Sequence, residues 1–356
     1  MVILDKVLKT LTELHGPSGY EQEVSYYIQE EMRSVAEDVR VDGIGNVTAR
    51  IKGEKPGPTV LVTAHMDEVG FIVKKIESNG LLRFEKLGGH DDRILLAQKV
   101  RVKGRYGLKR GVIGTIPAHY QKFDEAGRVR KHHELYIDVG ARSKEEVEKL
   151  GIDVGSTITW ASELEYLGDE ETGRYVGKSL DDRAGCAVLM NLMQSLQDQQ
   201  FAGEVIALFT VQEEVGLRGA QVGMAQVDCD VAIALDATVT SDTPEPLLDD
   251  TLRLGDGAGV KVLDMSLIAH PTVKEHFIQL AQEEEIPYQP ELFTGIGTDG
   301  GAVALANKGV PTGVLSIPSR YAHAPVEVID LEDLKAVEKL LLAFIKNNDE
   351  QTSFAF

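Results

Sequence analysis

The chain has 356 residues, 43% hydrophobic and 26% charged, with 37 Lys and Arg against 57 Asp and Glu, a formal charge of −20. That length can bury a full core and suits two domains, while the negative charge argues against nucleic acid or an anionic membrane as partner, since both need a basic face. No stretch approaches the roughly 18 consecutive apolar residues of a membrane span. Two cysteines, Cys186 and Cys229, with no Cys-x-x-Cys pair, are too few for a disulfide scaffold or a thiolate zinc site.

From the amino end, Leu4, Val7, Leu8, Leu11 and Leu14 recur at helical spacing, and Gly16-Pro17 ends that helix. Met1 to Lys6 reads as its first turn, lacking the basic region and apolar core of a signal peptide, and a cytoplasmic protein is expected. A second helix is expected from about Tyr20 to Glu37, then two strands between Val39 and Ile51 around Asp42-Gly43-Ile44-Gly45-Asn46. The unbroken run Pro58 to Ala64 fits a strand buried on both faces of a parallel sheet.

From about Phe71 to Trp160 short β-like runs follow one another: Phe71 to Ile76, Leu81 to Leu87, Lys99 to Lys103, Gly111 to Ile116, Leu135 to Val139 and Thr157 to Trp160. One short helix among them opens with the capping pattern Ser143-x-x-Glu146. After Lys178 the α/β alternation resumes: helix Asp182 to Gln197, strands Glu204 to Val211 and Val231 to Leu235, helix Thr272 to Glu285, strand Tyr288 to Phe293, helix Gly301 to Lys308, strand Thr312 to Ile317 and helix Leu331 to Ile345. The expected fold is a three-layer α/β/α domain, residues 1–70 and 161–356, with a small β-barrel, residues 71–160, inserted into it.

Four motifs follow buried strands: Ala64-His65-Met66-Asp67-Glu68, Gln212-Glu213-Glu214-Val215-Gly216, Leu235-Asp236-Ala237-Thr238 and Arg320-Tyr321-Ala322-His323-Ala324-Pro325. A fifth, Ser179-Leu180-Asp181-Asp182-Arg183-Ala184-Gly185, precedes a helix. In open α/β sheets the working crevice lies beyond the carboxyl ends of the strands, so one crevice would collect two histidines and several carboxylates. Imidazole with carboxylate suits zinc, cobalt or manganese. One aspartate can bridge two ions about 3.5–4 Å apart, which activate a water and hold a scissile carbonyl. A further carboxylate must then move the proton, and Glu213-Glu214 offers a ligand and a base side by side. Asp67, two residues after His65, would point the same way on an extended chain and could orient the imidazole. Taken singly, a histidine at a strand end is a structural residue, adjacent glutamates decorate a surface and Asp181-Asp182 caps a helix; it is their coincidence at four strand ends that points to metal chemistry.

Together with Gly88-Gly89 before Arg93-Ile94-Leu95, Gly111-Val112-Ile113-Gly114 and Gly297-Thr298-Asp299-Gly300, these motifs resemble, over essentially the whole chain, the glutamyl and tetrahedral aminopeptidases, a branch of the co-catalytic metallopeptidases. The resemblance implies an aminopeptidase acting on peptides, with two divalent ions per subunit, zinc or cobalt foremost and manganese as a third choice. It implies that Asp181 bridges the ions, that His65 and Asp236 complete one site and Glu214 and His323 the other, and that Glu213 is the general base and Asp67 the partner of His65. It also implies homo-oligomers, dimers assembled into a twelve-subunit tetrahedral shell, with the β insertion making many of the contacts.

Other histidines add no further site. His132-His133 reads as an exposed hairpin tip; His119 lies in the inserted domain; His90, His270 and His276 read as structural or exposed. Gly255 to Gly259 lacks the βαβ context of a dinucleotide loop, and Arg320 suits either an acidic substrate group or a structural ion pair. An N-deacylase or carboxypeptidase on the same two-metal core is the alternative reading, and it requires a positive anchor for the substrate carboxylate. Glycoside hydrolysis needs two carboxyls facing across a sugar about 5–9 Å apart, and one tryptophan leaves little platform for it. A non-catalytic protein on this fold would have little reason to carry a full ligand set with a base.

Overall fold

The computed structural model describes residues 2–120, 127–244 and 252–355; Met1, the start of the expected first turn, lies outside them. Helices α1 (Val2–Glu13) and α2 (Gln22–Met32) lead to the hairpin of β1 (Asp38–Val41) and β2 (Val47–Lys52), and then to β3 (Lys55–His65). The hairpin turn is tied by one side chain, because Asp42 Oδ1 accepts the amides of Ile44, Gly45 and Asn46 at 3.0, 3.0 and 3.1 Å. Helix α2 stops short of Glu37, where the Ser34 hydroxyl donates to the Glu31 carbonyl and competes with the helical ladder.

The chain then forms β4 (Gly70–Ile76), β5 (Leu82–Leu87), β6 (Lys99–Gly104), β7 (Gly107–Gly114) and β8 (Tyr136–Asp138), helix α3 (Lys144–Lys149) and β9 (Thr157–Trp160). These strands close into a barrel in the order β4-β5-β8-β7-β6-β9. Its interior is a separate core in which Phe71 meets Trp160 edge to face, ring centroids 5.1 Å apart. Ser143 caps α3 by accepting the Glu146 amide, but the Glu146 carboxylate takes the Arg142 amide at 2.8 Å, one residue before the cap.

β10 (Glu165–Tyr166) and β11 (Arg174–Gly177) bring the chain back to the sheet. There follow α4 (Leu180–Leu196), β12 (Ala202–Thr210), α5 (Arg218–Met224), β13 (Val231–Val239), β14 (Ala258–Leu263), α6 (Pro271–Glu283), β15 (Tyr288–Leu292), α7 (Asp299–Ala304), β16 (Thr312–Arg320), β17 (Glu327–Asp330) and α8 (Leu331–Lys346). Strands β12, β3, β13 and β16 run parallel at the centre of an eleven-stranded sheet, with antiparallel strands at its flanks. Burial on both faces explains the unbroken apolar runs: Val60, Val62 and Ala64 pack into the core with α1, α4 and α8, while Leu61 packs among α5 and α7 on the other face. The arrangement is the expected three layers of helix, sheet and helix, with a closed six-stranded barrel between β3 and β10. Strands β10, β11, β14 and β17 were not among the predicted elements, and α7 begins at Asp299 rather than Gly301.

Candidate metal centre

The parallel order brings distant motifs to one end of the sheet. His65 is the last residue of β3, and Glu213-Glu214 follows β12. Asp236 lies inside β13, opposite Ser316 of β16. Asp181 sits at the start of α4 and His323 in the loop between β16 and β17. Five non-glycine residues of these loops have left-handed backbones: Ser179 (φ +54°), Gln212 (φ +55°), Leu217 (φ +55°), Tyr321 (φ +60°) and His323 (φ +63°). Such conformations cost about 1–3 kcal/mol and persist where the surroundings impose them.

The two oxygens of Asp181 face different histidines. Oδ1 lies 3.1 Å from His65 Nε2, and Oδ2 lies 3.4 Å from His323 Nε2. Asp236 Oδ1 is 3.9 Å from His65 Nε2, and Glu214 Oε1 is 3.2 Å from His323 Nε2. Donor atoms of His65, Asp181 and Glu214 all fall within 4.8 Å of one another. On the far side of His65, Nδ1 is 3.4 Å from Asp67 Oδ1. Asp67 is fully buried and also accepts the Ser18 hydroxyl at 2.6 Å and the amides of Glu213 and Glu214 at 2.9 and 3.3 Å. It therefore fixes the histidine and the adjacent glutamates together. His323 Nδ1 is held by the Gly89 carbonyl at 2.8 Å, from the barrel side.

These groups line a crevice of about 480 Å³, and its described lining contains no lysine or arginine. Burial pushes the Glu213 carboxyl well above the usual range, reinforced by the charges of Asp236, Asp299 and Glu214. Burial and Asp181 do the same to Asp236. Burial disfavours the His323 imidazolium, but the Glu214 and Asp181 carboxylates reverse this and take it up to about 12. The site thus holds more negative charge than its own cations balance. Glu214 Oε1 is buried and faces the His323 imidazole at 3.2 Å. A buried carboxylate oxygen aimed at an imidazole nitrogen, two imidazoles each fixed through Nδ1, and one carboxylate shared between them fit borderline divalent ions such as zinc, cobalt or manganese.

Some expectations resolve differently. Arg320 is bound to Asp242 by two bonds, at 2.8 and 2.6 Å, so its charge is already met. His132 is half-buried and pairs with Glu85 at 2.9 Å, not free at a hairpin tip. His119 is exposed. His90 stacks on Phe71 and contacts the Gly70 carbonyl at 2.8 Å. Asp182 caps α4 through the Gly185 amide at 3.0 Å. The sequence reading missed Glu327, which holds two backbone amides of the site, and gave no role to Asp299, whose carboxylate receives the Thr210 hydroxyl at 2.5 Å beneath it. A larger groove of about 640 Å³ runs along the barrel, where Arg101 pairs with Glu163 at 3.3 Å.

The M42 glutamyl aminopeptidase family model matches residues 45–340. The solved aminopeptidase of the archaeon Desulfurococcus kamchatkensis superposes with a TM-score of 0.91 at 42% identity, covering 96% of this chain and 94% of that one. The lysyl aminopeptidase of Pyrococcus furiosus is 33% identical over 96% of both chains. The TET1 peptidase of Pyrococcus horikoshii, described as assembling into a tetrahedron or a large octahedral shell, has a TM-score of 0.86 at 33% identity, covering 97% of this chain and 99% of its own.

Proposed function

The chain belongs to the M42 glutamyl aminopeptidase family and is an aminopeptidase, and on that premise we propose that it removes the first residue of peptides by two-metal chemistry with Glu213 as general base. The observation that carries this is the pair of Asp181 contacts, Oδ1 to His65 and Oδ2 to His323, which turns one carboxylate oxygen to each imidazole, as a carboxylate shared by two ions would be. In this reading His65 and Asp236 would hold one ion, Glu214 and His323 the other, and Asp181 would serve both. Two such ions supply Lewis acidity, polarising the scissile carbonyl and acidifying a water.

The residues then have distinct tasks. Glu213 takes the proton of the attacking water as its oxygen bonds to the carbonyl carbon. It returns a proton to the peptide nitrogen as the C–N bond breaks, which yields a free amino acid and a peptide one residue shorter. A carboxyl whose affinity for protons is raised by burial suits both halves of that task. Asp67 keeps His65 oriented and fixes the glutamate turn through two amides. The carboxylate-rich crevice suits the cationic α-amine of the substrate. An N-deacylase or carboxypeptidase would need an anchor for a substrate carboxylate, and the described lining offers no free cation, Arg320 being bound to Asp242.

The same lining bears on the side chain of the first residue. Beyond the proposed ligands and base, the side chains of the walls are the apolar Leu217, Ala237, Val239, Met265, Ile296 and Ala322 and one hydroxyl, Ser266, with three glycines between them. Burying an unpaired charge against them costs several kcal/mol, which favours an apolar first residue. We further infer cytoplasmic residence, and a dodecamer built from dimers through the barrel of residues 71–160, on the analogy of the P. horikoshii relative.

The test is amino-acid release from unblocked and amino-blocked peptides, using chelator-stripped protein resupplied with zinc, cobalt or manganese. Metal-dependent release from unblocked peptides, led by Leu and Met, is expected. Release from blocked peptides would favour the deacylase reading, and a preference for Glu or Lys would overturn the apolar assignment alone.

A further inference from the structure

We propose that Glu327 is a positioning residue that sets the distance between the two halves of the metal site; the inference rests on the ligand assignment above. Glu327 opens β17, is 1% exposed, and spends both carboxylate oxygens on main-chain amides of the site. Oε1 accepts the amide of His323 at 2.8 Å, and Oε2 accepts the amide of Asp181 at 3.0 Å. One side chain therefore ties the backbone of the shared carboxylate to the backbone of the second histidine.

The register of the sheet makes this possible. β11 and β17 pair antiparallel with Gly177 opposite Glu327. Asp181 lies four residues beyond Gly177, and His323 lies four residues before Glu327. The two loops therefore leave the same end of one strand pair, and Glu327 stands at their common root with its carboxylate between them. His323 is also in the left-handed region at φ +63°, a backbone that a β-carbon disfavours and that needs an external hold. The hydrogen bond to its amide supplies one. The result is the 3.4 Å approach of His323 Nε2 to Asp181 Oδ2.

Glutamate is the side chain that can do this. Two parallel amides need two acceptors, and each bond to a carboxylate is charge-assisted. Glutamine presents one acceptor and one NH2 group, so one amide would face a donor. Aspartate keeps both acceptor oxygens but, one methylene shorter, does not reach both amides from the Glu327 backbone position. A carboxylate buried beside other carboxylates is costly in the bare protein, so its presence is better explained by the geometry it imposes than by stability.

The experiment is a cobalt(II) titration of the chelator-stripped full-length chain, followed by calorimetry and visible absorption, on wild type, Glu327→Gln and Glu327→Asp. Wild type takes two ions per subunit. Both variants are expected to bind the first ion as wild type does and the second at least about tenfold more weakly, the usual range for groups that orient ligands being 10–100-fold. Urea unfolding of the metal-free proteins is run beside it, because a merely structural role would lower that stability and leave metal affinity intact. Two ions bound at wild-type affinity by either folded variant overturn the proposal, as does failure of both variants to fold. Absence of ion binding by wild type instead overturns the ligand assignment beneath it.

Discussion

Asp67 and Glu68 are neighbours in the chain and almost equally buried, yet they belong to clusters of opposite charge balance. Glu68 meets Lys178 Nζ with both oxygens, at 2.9 and 2.8 Å, has Arg183 Nη2 at 3.7 Å, and accepts the Gly16 amide at 3.2 Å. Arg183 spends its other donors on the carbonyls of Met66 and Leu11, both at 2.6 Å. This cluster covers its one carboxylate with two cations and spends the second cation largely on main-chain carbonyls, and it joins the end of α1, the end of β3 and the start of α4. On the other side of the same backbone, Asp67 looks toward Asp181, Glu213, Glu214 and Asp236, which have His65 and His323 as the only basic side chains in the described lining. Burying an unbalanced set of charges is expensive unless something compensates it. A buried carboxylate covered by the chain's own cations reads as architecture, and a surplus of buried carboxylates as a demand for cations from outside.

The largest expected effect breaks the unbalanced side at its chemistry. Glu213→Gln should lower kcat by about 10²–10⁴-fold, the usual worth of a general base, while metal content measured by elemental analysis stays at the wild-type value. Turnover within a few-fold of wild type would remove Glu213 from that role.

The covered carboxylate should break differently. Lys178→Met leaves Glu68 buried with Arg183, at the longer distance, as its one ion-pair partner among the described residues. Removing one partner of a buried pair costs about 3–5 kcal/mol, so the urea midpoint should fall sharply whether or not metal is bound. A loss confined to the metal-loaded protein would mean that this cluster serves the ions too.

His15 sharpens the comparison at the seam between sheet and barrel. Its ring contacts Thr157 Oγ1 at 2.8 Å and Thr159 Oγ1 at 3.1 Å, both on β9. Burial lowers its pKa to about 4 from the ordinary 6.5, with Glu68 opposing and Lys178 assisting. The folded pKa lies below the unfolded one, so the unfolded chain binds the proton first as pH falls. The stabilisation from a neutral His15 is whole above about pH 6.5 and is lost as pH drops through about 4, on the order of 3 kcal/mol across that window. His15→Gln should flatten the fall of the urea midpoint between pH 6.5 and 4, and an unchanged slope would show that His15 does not drive it.

The two clusters were not equally visible in the sequence. His65, Glu213, Glu214, Asp236 and His323 follow apolar runs and Asp181 stands just before a helix, at places where the chemistry of metal ligands limits the residue types and a parallel sheet collects the loops. The cluster of Glu68, Lys178 and Arg183 gave no such signal. Its members come from segments that meet only in the fold, and a lysine after Gly177 reads as a surface residue until the Leu14 carbonyl and Glu68 close over it. Glu327 was hidden for a related reason. Its strand is four residues long, and its role depends on a pairing with β11 that no local pattern announces. β14 was hidden because the glycines from Gly255 to Gly259 read as a loop, although Ala258 to Val260 pack in the core.

The smallest expected effect is also the most discriminating, because its sign separates the clusters. Asp236 lies beside Asp181, whose charge adds to burial in raising its pKa, and 3.9 Å from His65. In the metal-free protein Asp236→Asn removes one of several mutually repelling buried carboxylates and leaves a side chain of the same shape. Repulsion between charges a few ångströms apart is worth on the order of 1–2 kcal/mol even at a generous effective dielectric, so the variant should unfold at a higher urea concentration than metal-free wild type. With metal present the order should invert, because wild type gains the binding energy of an ion that the variant holds poorly. Lys178→Met has no such inversion, being destabilising in both states. An Asp236→Asn protein that is less stable than wild type with and without metal would place Asp236 with the architectural cluster, and the charge surplus would lose its meaning as the mark of the metal site.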